Sequence, residues 1–216
     1  MDMSSMKMSG TGIVFNGVEP GDIVLVNNTK GGILPALIRF ITGRPWSHTA
    51  VGSLPLHALV EQKAYDQVFE ANLLCMQTLF YDYRKNSFMG LRVYRFRDLP
   101  MSWAERICVM QLDHYNGEVY GFAQLLWFVY RRLIELLHLP TRWAVYNFFP
   151  KNRICTEVVW EYLGALRYGM VGTPTAIFLA QALNLRDQNS VHPGDIEDIM
   201  QSCVRLGYAD VVYERG

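Results

Sequence analysis

Excess charge is the first thing this sequence lacks: 20 Lys+Arg balance 20 Asp+Glu over 216 residues, for a formal net charge of zero. Proteins that grip nucleic acid depend on neutralising phosphates, so a general DNA or RNA partner is excluded. Cysteine is scarce as well. Cys75, Cys108, Cys155 and Cys203 lie 33, 47 and 48 residues apart, with no CxxC pair. A zinc ribbon or thioredoxin-like site is therefore not expected. No HExxH and no clustered His/Asp/Glu are present either, and neither a metal nor a separate cofactor is expected. The apolar stretches Val119–Tyr130 and Tyr168–Leu185 do not read as integral membrane segments. The first is too short, and the second carries Gly169, Gly172, Pro174, Gln181 and Asn184. The opening MDMSSMKMSG has no apolar signal segment, so a cytoplasmic location with reduced thiols is expected.

Hydrophobic residues are plentiful. They make up 50% of the chain against 19% charged, which excludes a disordered protein. A chain of this length buries roughly 70% of its unfolded surface and needs no disulfide staple. Residues 1–10 read as a flexible tail and 11–216 as a single α+β domain. In the first half, Pro20-Gly21-Asp22 is a turn leading into an Ile23–Val26 strand. A short helix from Ile33 to Ile41 follows, ended by Gly43 and Pro45. Strands are predicted at Thr49–Val51, Asp66–Ala71 and Leu91–Phe96. The second half is mostly helical. Ser102 is a predicted N-cap for a helix to Tyr115, and Asn152 for one to Tyr168 stopped by Gly169. Thr173-Pro174 and His192-Pro193 start two more, and Val211–Tyr213 suits a closing strand.

Three residues stand out for chemistry. Cys155 falls in the first turn of its predicted helix, where free N–H groups and the helix dipole favour a thiolate. Its own N–H is placed to meet a developing oxyanion. The same apolar helix face equally suits an inert core thiol. His48, in RPWSHTAVG, sits at the mouth of a strand just after a Gly/Pro turn; a turn or surface histidine is the alternative. Glu70 is the one acid inside the apolar strand VFEA, where a carboxylate is costly unless paired. If that strand lies antiparallel beside the His48 strand, Glu70 can orient the imidazole. An outward-facing carboxylate fits the alternation just as well.

GDIVLV at Gly21–Val26, WSHTAV at Trp46–Val51, VFEA at Val68–Ala71 and ICTEVVWEYL at Ile154–Leu163 occur in that order. With VHPGDI at Val191–Ile196, the set resembles the YiiX/YaeF-type cysteine hydrolases, a circularly permuted branch of the NlpC-type papain-like superfamily. The resemblance spans roughly residues 21–200. It implies a permuted papain-like fold, an antiparallel β-sheet or barrel packed against a nucleophile-bearing helix. It also implies that Cys155 is the nucleophile, His48 the base and Glu70 the group that orients the base. Tyr120 resembles a tyrosine that assists the oxyanion site, although the family usually has Tyr-Asp where this chain has Tyr120-Gly121. The spacing from Tyr120 to Cys155 implies a helical insertion around 126–149, aromatic and basic.

The expected activity is cleavage of a peptide or N-acyl amide bond through a Cys-His-Glu triad and an acyl-enzyme. A small peptide, or an N-acyl amino acid or other lipid-like molecule, is the expected substrate. An acyltransferase using the same thiol, or a non-catalytic peptide- or lipid-binding module that keeps the fold, is the alternative. Trp127 and Phe128 are candidates for the wall of an apolar substrate cleft, the other use of their segment being core or a homo-oligomer contact.

Overall fold

The computed structural model of the chain describes residues 15, 17–30, 32–54, 56–57, 64–71, 75–87, 89–119, 130, 134, 137–138, 154–185 and 191–216. The expected tail at 1–10 lies outside them. So does the expected insertion around 126–149, apart from residues 130, 134 and 137–138. Among the described residues the fold is α+β, with one six-stranded antiparallel sheet and six helices. None of these helices is long and apolar enough to cross a membrane.

Strand β1 (Ile23–Asn28) is central, paired with β2 (His48–Gly52) on one side and β7 (Met89–Phe96) on the other. Beyond β2 come β5 (Gln67–Ala71) and then β6 (Cys75–Leu79); beyond β7 lies β8 (Ala209–Arg215). A two-stranded ribbon, β3 (Leu56–His57) with β4 (Ala64–Tyr65), fills part of the β2–β5 connection. Helix α1 (Ile33–Thr42) links β1 to β2 and ends at Gly43 in the left-handed conformation, φ 63°. Helix α2 (Phe80–Lys85) follows β6 without a break. Helices α3 (Met101–Tyr115), α4 (Cys155–Gly169), α5 (Pro174–Asn184) and α6 (Pro193–Arg205) complete the fold.

Both faces of β1 are buried, so its sequence IVLV is apolar without alternation. Ile23, Leu25, Val51, Tyr94 and Phe96 face the helical layer, where they pack with Val159, Leu163, Leu166, Leu179 and Met200. Val24, Val26, Ala50, Val68, Leu91 and Val93 face the other way, onto Val18, Phe80 and Val212. His48 and Glu70 belong to this two-sided β1–β2–β5 strip, and Cys155 opens the helix packed against it.

Thr173 caps α5 as expected, its hydroxyl accepting from the Ala176 N–H at 3.2 Å with Pro174 at the first helical position. His192 caps α6 in the same way through Nδ1, at 3.3 Å from the Asp195 nitrogen. Two expected caps are displaced. Helix α3 begins at Met101 behind Pro100, so Ser102 lies inside the first turn rather than before it. The Pro100 carbonyl accepts from Trp103 and Ala104 instead. Helix α4 begins at Cys155 behind Ile154, which has extended backbone angles. Cys155 is therefore the first helical residue rather than one a few positions in, and Asn152 lies outside the described residues.

The turn before β1 ties the strip together. The carboxylate of Asp22, 1% exposed, accepts two Arg95 bonds at 2.8 Å and the Glu19 N–H at 2.9 Å. Gly52 donates to the Asp22 carbonyl at 2.6 Å and accepts from the Gly21 N–H at 2.8 Å. A Cβ on Gly52 would lie 2.1 Å from the Glu19 carbonyl oxygen, so β2 can sit here only with glycine at this position. Gly52→Ala should therefore lower stability by about 1–3 kcal/mol, as an overpacked backbone contact does. Gly164→Ala, in α4 with open space around its Cβ position, should instead raise stability by up to about 1 kcal/mol. Urea midpoints of the two variants check the pair.

Candidate active site

His48 opens β2, Glu70 lies in the adjoining strand β5, and Cys155 opens α4. Antiparallel pairing of Val51 with Phe69 and Gly52 with Val68 puts Glu70 diagonally across from His48 on the same sheet face. The His48 Nε2 then lies 2.5 Å from Glu70 Oε2. Glu70 is 1% exposed, so the alternative of an outward-facing strand carboxylate is not what the fold adopts.

A buried carboxylate needs donors for its remaining lone pairs, and two further side chains supply them. The Thr78 hydroxyl, from β6, donates to Glu70 Oε1 at 2.7 Å, and the Tyr83 hydroxyl, from α2, donates to Oε2. Tyr83 also lies roughly parallel to the His48 ring, 25° between planes and 6.5 Å between centroids. Burial by itself would raise the Glu70 carboxyl. The His48 bond and charge, then Tyr83 and Thr78, outweigh it and hold the group below the ordinary carboxylate range.

The other side of the imidazole meets the thiol. Burial pushes the Cys155 thiol up, but the His48 charge and hydrogen bond, with donation from the Thr49 N–H and hydroxyl, bring it below the ordinary thiol range. His48 shows the reciprocal shift. Burial would lower it, and the Cys155 charge and hydrogen bond, followed by Glu70, raise it well above the ordinary imidazole value. With Nε2 committed to Glu70, Nδ1 is the nitrogen that serves the thiol. The arrangement favours a thiolate–imidazolium pair. Cys155 is 3% exposed, and the His48 side chain at 18% is the open edge of the site.

The other thiols differ in kind. Cys108, mid-helix in α3, donates to the Gly52 carbonyl at 3.3 Å, and burial pushes it up to about 12. Burial does the same to Cys203, also to about 12. Cys75 is fully buried at the start of β6. No three His, Cys, Asp or Glu among the described residues are grouped to hold a metal ion. A groove of about 370 Å³ between α3 and α4, lined among the described residues by Ile107, Met110, Gln111, His114, Glu161 and Ala165, includes none of the three site residues.

Tyr120, Trp127 and Phe128 lie outside the described residues. Sequence reasoning passed over Tyr83, Thr78 and Thr49. A tyrosine or threonine in a polar segment carries no signal of its own. Only Thr49, directly after His48, had a neighbour that could have pointed to it. The chain matches no family model and no curated protein.

Two expectations follow for solution chemistry. Iodoacetamide should modify Cys155 ahead of Cys75, Cys108 and Cys203 in the folded protein, as peptide mapping would show. Its rate should begin to decline at a lower pH than that of an ordinary thiol as the solution is acidified. In His48→Ala the inflection should move up to about 8.5 or higher. Glu70→Gln leaves one carbonyl oxygen where a carboxylate met three donors, and sets an amide N–H against them. It should slow alkylation less than His48→Ala, and Tyr83→Phe less again. First labelling at Cys108 would contradict the assignment.

Proposed function

We propose that the chain is a thiol hydrolase with a circularly permuted papain-like fold, cleaving amide bonds of small peptides or N-acyl amino acids. One observation carries the reading: a single imidazole is bonded on one side to a buried carboxylate and on the other to a thiol shifted toward its anion. The chain order supports the permuted topology, because the histidine strand and the carboxylate strand both precede the nucleophile helix.

The chemistry follows from the placement. Cys155 Sγ attacks the carbonyl carbon, forming a C–S bond as the carbonyl π pair moves onto oxygen. The Cys155 N–H, at the first helical position and without an intrahelical acceptor, is available to the oxyanion. When the tetrahedral species collapses, the C–N bond breaks and His48 Nδ1 passes its proton to the departing nitrogen. Water then attacks the thioester, His48 accepts its proton, and the C–S bond breaks to release the acid and restore the thiolate. Glu70 remains ionised throughout and holds Nε2–H, which fixes the tautomer and the ring orientation. Thr78 and Tyr83 keep that carboxylate in place.

A p-nitrophenyl ester tests the proposal without knowledge of the natural substrate. A burst of about one equivalent of p-nitrophenolate is expected, with the acyl mass on Cys155 alone and its decay over time. His48→Ala should slow acylation by about 10²–10⁴, and Cys155→Ala should abolish it. An acyl group on another thiol, or none, would refute the reading in favour of a binding module. Faster loss of the acyl group to an added amine than to water would mark a transferase.

A further inference from the structure

Arg39, in α1, is a guanidinium held in place with half of its donors unused. Its Nη1 donates to Asn27 Oδ1 at 3.3 Å and to the Asn28 carbonyl, both neutral acceptors at the end of β1. Nε and Nη2 form the edge of the fork that grips a carboxylate side-on. Among the described residues they have no acceptor. Other arginines of this chain use that same edge on an acid. Arg95 sets Nε and Nη2 each 2.8 Å from an Asp22 oxygen, and Arg97 sets them 2.8 and 2.6 Å from Asp210. Between Asp22 and Glu61 the sequence has no acid to play this part for Arg39, and the residue is partly exposed.

The guanidinium stands beside the candidate site. His48 pairs with Val26, and Asn27 and Asn28 continue β1 past that pair. The Asn28 N–H donates to Ser47 Oγ at 3.0 Å, which ties this end of β1 to the residue before His48. Asn28 lies two residues, roughly 7 Å, beyond the Val26–His48 pair. One or two amino-acid lengths thus separate the guanidinium from the imidazole. Helix α1 is fixed to the site as well, because Ile38 packs with Phe69, Ala71, Ile154 and Val158, the neighbours of Glu70 and Cys155. With Glu70 and Cys155 as anions and His48 as the cation, the three groups carry one net negative charge. Such a site repels an anionic substrate unless a cation such as Arg39 receives it.

We propose that the Nε/Nη2 edge of Arg39 binds a free carboxylate on the amine portion of the substrate, one or two residues past the scissile nitrogen. N-acyl amino acids and N-acyl dipeptides are then preferred to the same molecules with the carboxylate masked. The inference rests on the hydrolase reading, in which His48 Nδ1 meets the departing nitrogen. Whatever that nitrogen carries extends on the imidazole side, toward the end of β1. Arg39 selects the substrate and takes no part in making or breaking bonds.

N-octanoylglycine and N-octanoylglycylglycine, each beside its carboxamide, test the proposal. For at least one pair, octanoate release by the wild type should have a kcat/KM about tenfold or more higher for the acid, as a charge-assisted contact gives. Arg39→Gln should bring that ratio close to one at unchanged melting temperature. Arg39→Lys should keep part of it, since the charge survives and the fork does not. Calorimetry on Cys155→Ala reads the contact without turnover: the acid should bind more tightly than its carboxamide, and Cys155→Ala/Arg39→Gln should lose the difference. If that preference is present while the wild type releases no octanoate, the hydrolase reading fails and the carboxylate site stands. Equal treatment of acid and carboxamide in both pairs, a preference that Arg39→Gln retains, or no binding of either acid overturns the proposal.

Discussion

The buried carboxylate of Glu70 is the constraint on which the rest of the site depends. An ionised group in a sheet interior is tolerable only when donors surround it, and here the three donors come from β2, β6 and α2. Each lies on a separate element, so the carboxylate binds the end of the sheet to the helix beyond it. Once Tyr83 and Thr78 have been spent on Glu70, its remaining preference is for a proton-bearing His48 Nε2. That preference fixes the ring, and the ring in turn fixes the state of Cys155. The thiolate is thus stabilised at one remove by residues that never touch it. Thr49 acts more directly, since its N–H and hydroxyl face the sulfur.

Much of this was legible in the sequence because burial and chemistry disagreed there. An acid inside VFEA, a histidine straight after a Gly/Pro turn and a cysteine at a helix start are each out of place for simple packing, and the fold brings all three together. The α+β class, the paired strands and the proline-initiated helices followed from alternation and capping. What the sequence hid has a common cause. Strand β6 passes from Leu79 directly into α2 at Phe80, with no glycine or proline between them to mark the change. Without that boundary the segment CMQTLFYDYRK has no readable period, and Thr78 and Tyr83 look like ordinary polar residues. The misplaced caps have a different origin. Pro100 and Ile154 carry no capping hydroxyl or carboxylate, and the start of α4 is instead closed from inside the helix by Glu157, whose carboxylate accepts from the Ile154 N–H at 3.2 Å.

Adjacent residues His48 and Thr49 leave β2 on opposite sides of the sheet, and the thiol needs both. A shift of one residue in the β1–β2 pairing would exchange them. Hydrophobic alternation cannot prevent that shift, because IVLV buries both of its faces and is equally apolar in either register. Polar and steric features must do so instead. At one end of the pairing the Ser47 N–H donates to the Val26 carbonyl at 2.9 Å, and its hydroxyl accepts from the Asn28 N–H at 3.0 Å. At the other end Gly52 fits against the Glu19 carbonyl where no side chain could, beside a turn held by the Asp22–Arg95 pair. A slip would place Val51 or Ser53 at that contact and drive a Cβ into backbone. The distance along β2 from Gly52 back to His48 is fixed by the strand itself. The close approach at one end of the strand therefore sets the position of the imidazole at the other, and the geometry of the site rests on a residue that takes no part in its chemistry.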